Sequence, residues 1–382
     1  MLSPDELAAW LRLGTTPGVG RAAARKLLGA LGSAERVLAA DEPTLLSLTG
    51  RDVVQALKRQ DARAEANLVA TRRWLDAAAT DIPRDVVTLD DPRYPALLLE
   101  TADPPLLLFT LGRVELLSSP GIAIVGSRNA TPQGMDNARM FARVLSRCPL
   151  TVVSGLAMGI DTAAHEGGLD GPGSTVAFVG TGLDRVYPAS NAALMRRIGQ
   201  QGLMASEYPL GTPPVADNFP RRNRLIAGIT QGTLVVEAAL ESGSLITARL
   251  AVENGREVFA IPGSIHSQQS RGCHRLIQEG AKLVQSADDV LRELRFGPQD
   301  ETSRATLSAP QPSLFAVAGN EAADGPDGAL RAALGHDPVT FDVLAARTGL
   351  PSDQLAARLL ELELSGVVER LPGGLLQRRA RA

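Results

Sequence analysis

The spacing of apolar residues changes along the chain. Over the first eighty residues it is helical. Leu7, Trp10, Leu11 and Leu13 follow Ser3-Pro4-Asp5-Glu6, where a capping Ser, a first-turn Pro and a reciprocating Glu open a helix. Pro17-Gly18-Val19-Gly20 breaks it, and a second helix is predicted from Arg21 to Leu31, carrying Arg21, Arg25 and Lys26. Two helices joined by a glycine turn with basic residues nearby form a helix-hairpin-helix pattern, whose turn offers backbone N–H groups to a phosphate. An Ala/Leu-rich stretch continues to about Ala79, so residues 1–80 read as an all-α, SAM-like domain.

Turn signals at Asp91-Pro92-Arg93-Tyr94-Pro95 and Asp103-Pro104-Pro105 frame Leu97–Leu99 and Leu106–Phe109, which read as an extended lead-in. From Gly121 the pattern is a short apolar run, a glycine loop and a helix, repeated. Ile122–Val125, Thr151–Val153, Ser174–Val179, Leu203–Ser206, Thr233–Val236, Glu257–Ile261 and Ala281–Val284 are the predicted strands. They imply a mostly parallel α/β sheet over residues 81–298, with right-handed crossovers. After Phe296 the pattern dissolves into Pro, Ala, Gly, Ser and acids, and residues 299–326 read as a disordered linker. In residues 327–382, two helices meet at Gly349-Leu350-Pro351-Ser352, with Leu355, Leu359 and Leu362 on one face. A hairpin at Pro372-Gly373-Gly374 completes a winged-helix pattern. Its recognition helix pairs Arg358 with Asp353, Glu361 and Glu363, a balance suited to protein contact.

In parallel sheets, ligands gather beyond the carboxyl ends of the strands. Gly126-Ser127-Arg128, Ser154-Gly155, Gly180-Thr181-Gly182 and Ser242-Gly243-Ser244 all fall there. Arg221, Arg222 and Arg224 surround Asn223 at the start of a helix in the same region. Guanidinium forks match phosphate oxygens, and free N–H groups at a helix start reinforce them. There is no G-x-G-x-x-G fingerprint with its acidic partner and no Walker Lys, which disfavours a dinucleotide or ATP site.

Composition narrows the choice. The 382 residues carry a net charge of −3 and only 3% aromatics, so nucleic acid must be met by a local patch, without repeated base stacking. Two cysteines and four scattered histidines give neither a disulfide framework nor a metal cluster, and no cofactor or metal is expected. Asp161 and His165, four apart on a helix, read as a surface pair. With no membrane-length apolar run and no leader pattern, the chain is expected in the cytoplasm.

The sequence resembles the DNA-processing protein A (DprA/Smf) family of bacterial natural transformation. The resemblance rests on Gly126-Ser127-Arg128, on the run Ser154-Gly155-Leu156-Ala157-Met158-Gly159-Ile160-Asp161, and on Tyr187-Pro188 with Asn191. Phe219–Thr230, Val235–Ala248 and Gly255–Gly263 complete it, with small departures at Ile229-Thr230, Ser264 and His274. It implies an extended Rossmann-like fold and a non-enzymatic protein that binds single-stranded DNA, dimerises, and helps load a RecA-type recombinase on incoming strands. By this resemblance Ser127, Arg128, Ser154, Gly155, Arg221, Arg222, Asn223, Arg224, Gly243 and Ser244 form the strand-binding rim. Gly272 to Leu283 is the dimer edge, with His274, Leu276, Ile277 and Leu283 as its members; packing of the last helix on the sheet is the alternative for the apolar ones. Gln311, Leu314 and Phe315 resemble a sliding-clamp peptide, against a local tether. The rival class is the nucleotide-binding lysine decarboxylase-like group, which hydrolyses nucleoside monophosphates. It has a partial echo in Gln231-Gly232-Thr233, with Glu237 as acid or base and Arg128 on the phosphate.

Overall fold

The computed structural model describes residues 2–59, 62–77, 82–296, 326–335, 338–371 and 373–378. The linker expectation, the Gln311, Leu314 and Phe315 peptide and the last four residues lie outside them.

Six helices open the chain: α1 (Pro4–Thr15), α2 (Arg21–Leu31), α3 (Ala34–Ala39), α4 (Glu42–Leu48), α5 (Arg51–Lys58) and α6 (Ala62–Asp76). The capping box is present, Ser3 accepting from the Glu6 N–H while Glu6 accepts from the Ser3 N–H. The helices have no separate core. Trp10, Leu11 and Leu27 belong to one apolar cluster with Phe109, Ile198 and Met204 of the neighbouring sheet layer.

Nine strands follow: β1 (Arg84–Thr88), β2 (Leu107–Gly112), β3 (Gly121–Val125), β4 (Thr151–Ser154), β5 (Thr175–Phe178), β6 (Leu203–Ser206), β7 (Gly232–Val235), β8 (Glu257–Ala260) and β9 (Lys282–Leu283). Between and after them run α7 (Ala96–Leu99), α8 (Pro132–Arg147), α9 (Ile160–Gly168), α10 (Ala192–Gln201), α11 (Asn218–Ile229), α12 (Ser244–Glu253), α13 (Arg271–Gln278) and α14 (Ala287–Glu293). The sheet order is β1-β2-β6-β5-β4-β3-β7-β8-β9, parallel from β6 through β9. Its central strands are buried along their whole length because helices cover both faces. The lead-in departs from expectation. Leu97–Leu99 lies in the short helix α7, while Leu107–Gly112 is a strand that joins β1 and β6 antiparallel and extends the sheet. From β3 the chain winds first toward β4 and later returns on the other side as β7, so the order reverses at the middle of the sheet.

The last unit holds α15 (Pro326–Leu334), α16 (Phe341–Thr348), α17 (Ser352–Leu364) and the antiparallel hairpin β10 (Val368–Leu371) and β11 (Leu375–Arg378). Leu344, Leu355, Leu359, Leu362 and Leu376 form its core, as a winged helix requires. The opposite side of α17 exposes Leu360 and Leu364 beside Asp353 and Glu361, a poor face for reading a DNA groove.

Two of the three basic residues of the helix-hairpin-helix are engaged within the chain, while Lys26 is exposed. Arg21 pairs with Asp103 at 2.5 Å and with Glu207 at 3.1 Å, and Arg25 pairs with Asp103 at 2.9 Å. Arg224 from α11 completes the cluster through Glu207. Glu207 is buried, which raises its pKa while Arg224 and Arg21 pull it down. We expect Glu207→Gln to strand the Arg224 charge and lower unfolding stability by about 3–5 kcal/mol, whereas Glu207→Leu with Arg224→Met should cost far less. Urea denaturation of the two variants checks this, and equal losses would refute the role of the pair.

Candidate nucleic-acid interface

The loop after β4 comes closest to a phosphate-binding turn in sequence, yet its backbone is already spoken for. The Gly155 and Ala157 N–H groups donate to Asp161 Oδ2 at 3.1 and 3.3 Å, and the Leu156 N–H donates to His165 Nε2 at 3.2 Å. The carbonyls are met as well. Gly155 accepts from Arg222 at 2.6 Å, Leu156 from Asn191 at 3.1 Å, and Ala157 from the Thr162 hydroxyl at 2.8 Å. Three separate segments therefore fix three residues, and Leu156 is held at φ 56°. Asp161 and His165 are buried beneath the loop, which corrects their reading as a surface pair. Ser154 is also buried and donates to the Ile124 carbonyl at 2.7 Å. Sequence reasoning missed this scaffold, although both side chains stand four apart on the helix that follows the loop.

The arginines of α11 take separate paths. Arg222 is buried and donates to the Gly155 and Phe178 carbonyls, with the Asp161 charge nearby. Burial lowers its pKa to about 10 against the pull of Asp161. A Cβ on Gly155 would meet its guanidinium at 2.5 Å, so that position has no room for a side chain. Arg224 turns toward Glu207 and the helical domain, away from the cleft residues. Arg221 is exposed, and among the described residues no hydrogen bond or ion pair holds its side chain. The sequence expectation placed all three on one ligand. The helix instead points successive residues about 100° apart, which one face cannot accommodate.

A cleft of about 410 Å³ opens where the strand order reverses, between the ends of β3, β4 and β7. Ser127, Arg128 and Asn129 form one lip; Ser242, Gly243 and Ser244 form the other, and Phe219, Arg222, Asn223 and Asp161 line it between them. Ser242 and Ser244 share a hydroxyl hydrogen bond of 2.7 Å at the start of α12, and Ser242 Oγ also accepts from the Ser244 N–H at 3.3 Å. Asn223 reaches the Gly243 carbonyl at 3.4 Å and ties the two helices together. Arg128 is exposed, with its guanidinium 5.9 Å from the Phe219 ring centre, and Tyr187 packs on the same ring at 5.2 Å. Hydroxyls and one exposed guanidinium therefore face an incoming anion on these lips, with the exposed Glu241 carboxylate beside Ser242 opposing it.

Glu237 is not in the cleft. Its carboxylate accepts from the Thr131 N–H at 3.0 Å and the Thr131 hydroxyl at 2.6 Å, tying β7 to the start of α8. A Cβ on Gly134 would collide with that carboxylate. Burial raises its pKa against these bonds.

At the far edge, β9 pairs only with β8, and Leu283 is half exposed. Leu276 and Ile277 are partly buried against the core, while His274 Nε2 lies 2.9 Å from the Gly263 carbonyl. A neighbouring groove of about 630 Å³ between α12 and α13 exposes Leu240 and Val252.

His165 carries a pH signature. Its Nδ1 must donate to the Thr175 hydroxyl, because that hydroxyl donates to Val152; Nε2 must accept from Leu156. Burial, helped by the Arg222 charge, depresses its pKa to about 3. The unfolded chain binds a proton below about 6.5 that the folded chain refuses, so this group removes up to ~1.4 kcal/mol of stability per pH unit on acidification toward 3. Buried Asp161, Glu207 and Glu237 have raised pKa values and act in the opposite sense, so the informative quantity is a difference. His165→Gln should flatten the acid limb of stability against pH relative to the parent, and parallel curves would refute the assignment.

Comparison with known proteins identifies the family. Residues 85–295 match the family described as DNA recombination-mediator protein A, residues 4–67 a DprA-like N-terminal HHH domain, and residues 307–374 a DprA winged helix domain. Protein Smf of Escherichia coli is 42% identical over 295 residues, 77% of each chain. The crystal structure of DNA processing protein A from Streptococcus pneumoniae superposes with a TM-score of 0.64 at 38% identity, covering 76% of this chain and 98% of that one. DNA processing protein A from Helicobacter pylori, described for its single-stranded DNA binding mode, gives 0.51 at 30% identity over 55% of this chain and 96% of its own. With a match spanning more than half its length and a relative this similar, the chain belongs to the DNA recombination-mediator protein A family.

Proposed function

We propose that the protein is a single-stranded DNA-binding recombination mediator that grips the strand in the cleft between β3 and β7. The observation that carries this reading is the exposed Arg128 guanidinium, free of ion pairs among the described residues, set across the cleft from the hydroxyls of Ser242 and Ser244. Phosphate oxygens are acceptors only, and these groups are donors. Ser127, Arg128, Gly243 and Ser244 contact the strand, and Arg221 adds charge from outside the cleft. Ser154, Gly155, Arg222 and Asn223 hold the walls in place, while Arg224 fastens the helical domain. Backbone contact carries no base information, so sequence preference is weak.

The edge formed by β9 and α13 joins two copies through Leu283 and the groove beside it. Two clefts on one strand raise avidity without any new kind of contact. A mediator that holds the strand by its backbone protects incoming DNA and leaves the bases available to a RecA-type recombinase during transformation. Hydrolysis of nucleoside monophosphates is the weaker reading, because Glu237, its acid or base, is engaged with Thr131.

The full chain should bind single strands in preference to duplex. Arg128→Ala should weaken binding to all single strands alike and reduce the slope of log affinity against log salt by about 0.7, the share of one phosphate. Arg224→Ala should leave that slope unchanged. Fluorescence anisotropy across a salt series measures both, and an unaltered slope for Arg128→Ala would remove it from the site. Leu283→Arg should give a monomer by light scattering and lower strand affinity by about 10²-fold. A dimer that persists would disprove the edge assignment.

A further inference from the structure

One cation lies between the winged-helix domain and the sheet domain. Arg347, near the end of α16, has a side chain only 11% exposed. One Nη donates to the Ala333 carbonyl in its own domain at 3.0 Å, and the other donates to Gln133 Oε1 on α8. Its nearest carboxylate is Asp136, also on α8, at 3.8 Å. Asp136 is itself half exposed and shared with Arg139, whose closer partner is Glu166 at 2.7 Å. Among the described residues the Arg347 Nε has no partner. Burial lowers the Arg347 pKa against the pull of Asp136.

A guanidinium has thus left water for two carbonyl oxygens, one of them in its own domain, and part of a carboxylate. Such an underpaired charge gives little net binding, because desolvation offsets most of the attraction. The contrast with Arg224, set against the buried carboxylate of Glu207, is one of degree of pairing. Location adds to the argument. Gln133 and Asp136 lie in the first two turns of α8, and α8 begins just after the Ser127-Arg128-Asn129 lip.

We propose that Arg347 is a releasable latch that docks the winged-helix domain on α8 beside the cleft, and that this closed arrangement restricts entry of a strand over the neighbouring lip. The second half rests on the cleft being the strand site; the first half does not. Apparent affinity is then the intrinsic affinity scaled by the open fraction, so latch strength sets strand affinity from outside the site.

Arg347 also holds α15 through Ala333, so the test variants belong on the α8 side. Asp136→Lys places a cation opposite Arg347 and should open the full chain. Gln133→Glu gives Arg347 a carboxylate and should close it. Small-angle scattering without DNA should show a larger radius of gyration for Asp136→Lys than for Gln133→Glu. Affinity for a single-stranded oligonucleotide should rise by about threefold to tenfold in the first and fall in the second. A damaged fold would lower binding in both, and the added charges alone would shift affinity in these same senses. Support for the latch therefore requires opposite shifts that persist at high salt, together with the difference in scattering. Identical scattering profiles would overturn the docking claim, and different profiles with equal affinities would overturn the restriction claim. If the parent chain binds no single strand, the reading of the cleft fails, and scattering alone still decides the latch.

Discussion

A cation buried under the cleft imposes more on this fold than any other group. Arg222 is held by two backbone carbonyls from different strand ends and by the field of Asp161. Removing a guanidinium from water is tolerable only when its donors are met and a counter-charge is close. Those needs propagate. Asp161 must stay beneath the loop, where it also accepts two amide hydrogens. Gly155 must lack a side chain, and His165 must stay neutral to receive the amide between them. The cleft floor is therefore built before any ligand arrives, and little ordering remains for binding to supply.

This explains which parts of the molecule were legible in sequence. The period-two and period-3.6 patterns placed the central strands, the helices around them and the winged helix, because burial on both faces leaves few alternatives for runs such as Ile122–Val125. The strand β1 and the antiparallel β2 were not legible as sheet. Proline turns surround them, and an edge extension carries no pattern of its own. Glycine loops at strand ends correctly marked where the cleft lies. The division of labour inside it was hidden, since a motif records that Ser154, Gly155 and Arg222 matter without recording which way they point. Arg224 was the hardest to read, because its partner Glu207 sits 17 positions away, beyond a loop.

The site is sparing with charge. The protein is slightly acidic, two of the three clustered arginines are consumed internally, and the basic residues of the first helical hairpin face Asp103 and Glu207. Exposed cations at the cleft are few, so long-range attraction is modest and contact geometry carries more of the recognition. A surface of that kind suits the hand-over of a strand that the proposed function entails.

The pairing of Arg21 and Arg25 with acids of the sheet domain bears on how such a chain can evolve. Recombination between relatives often exchanges whole modules at their linkers. Here the opening module brings Arg21 and Arg25, two of the three guanidiniums that neutralise Asp103 and the buried Glu207 of its neighbour. A graft that lacked them would inherit a stranded acid, so these two modules are expected to travel through lineages together while the winged helix remains the more exchangeable part.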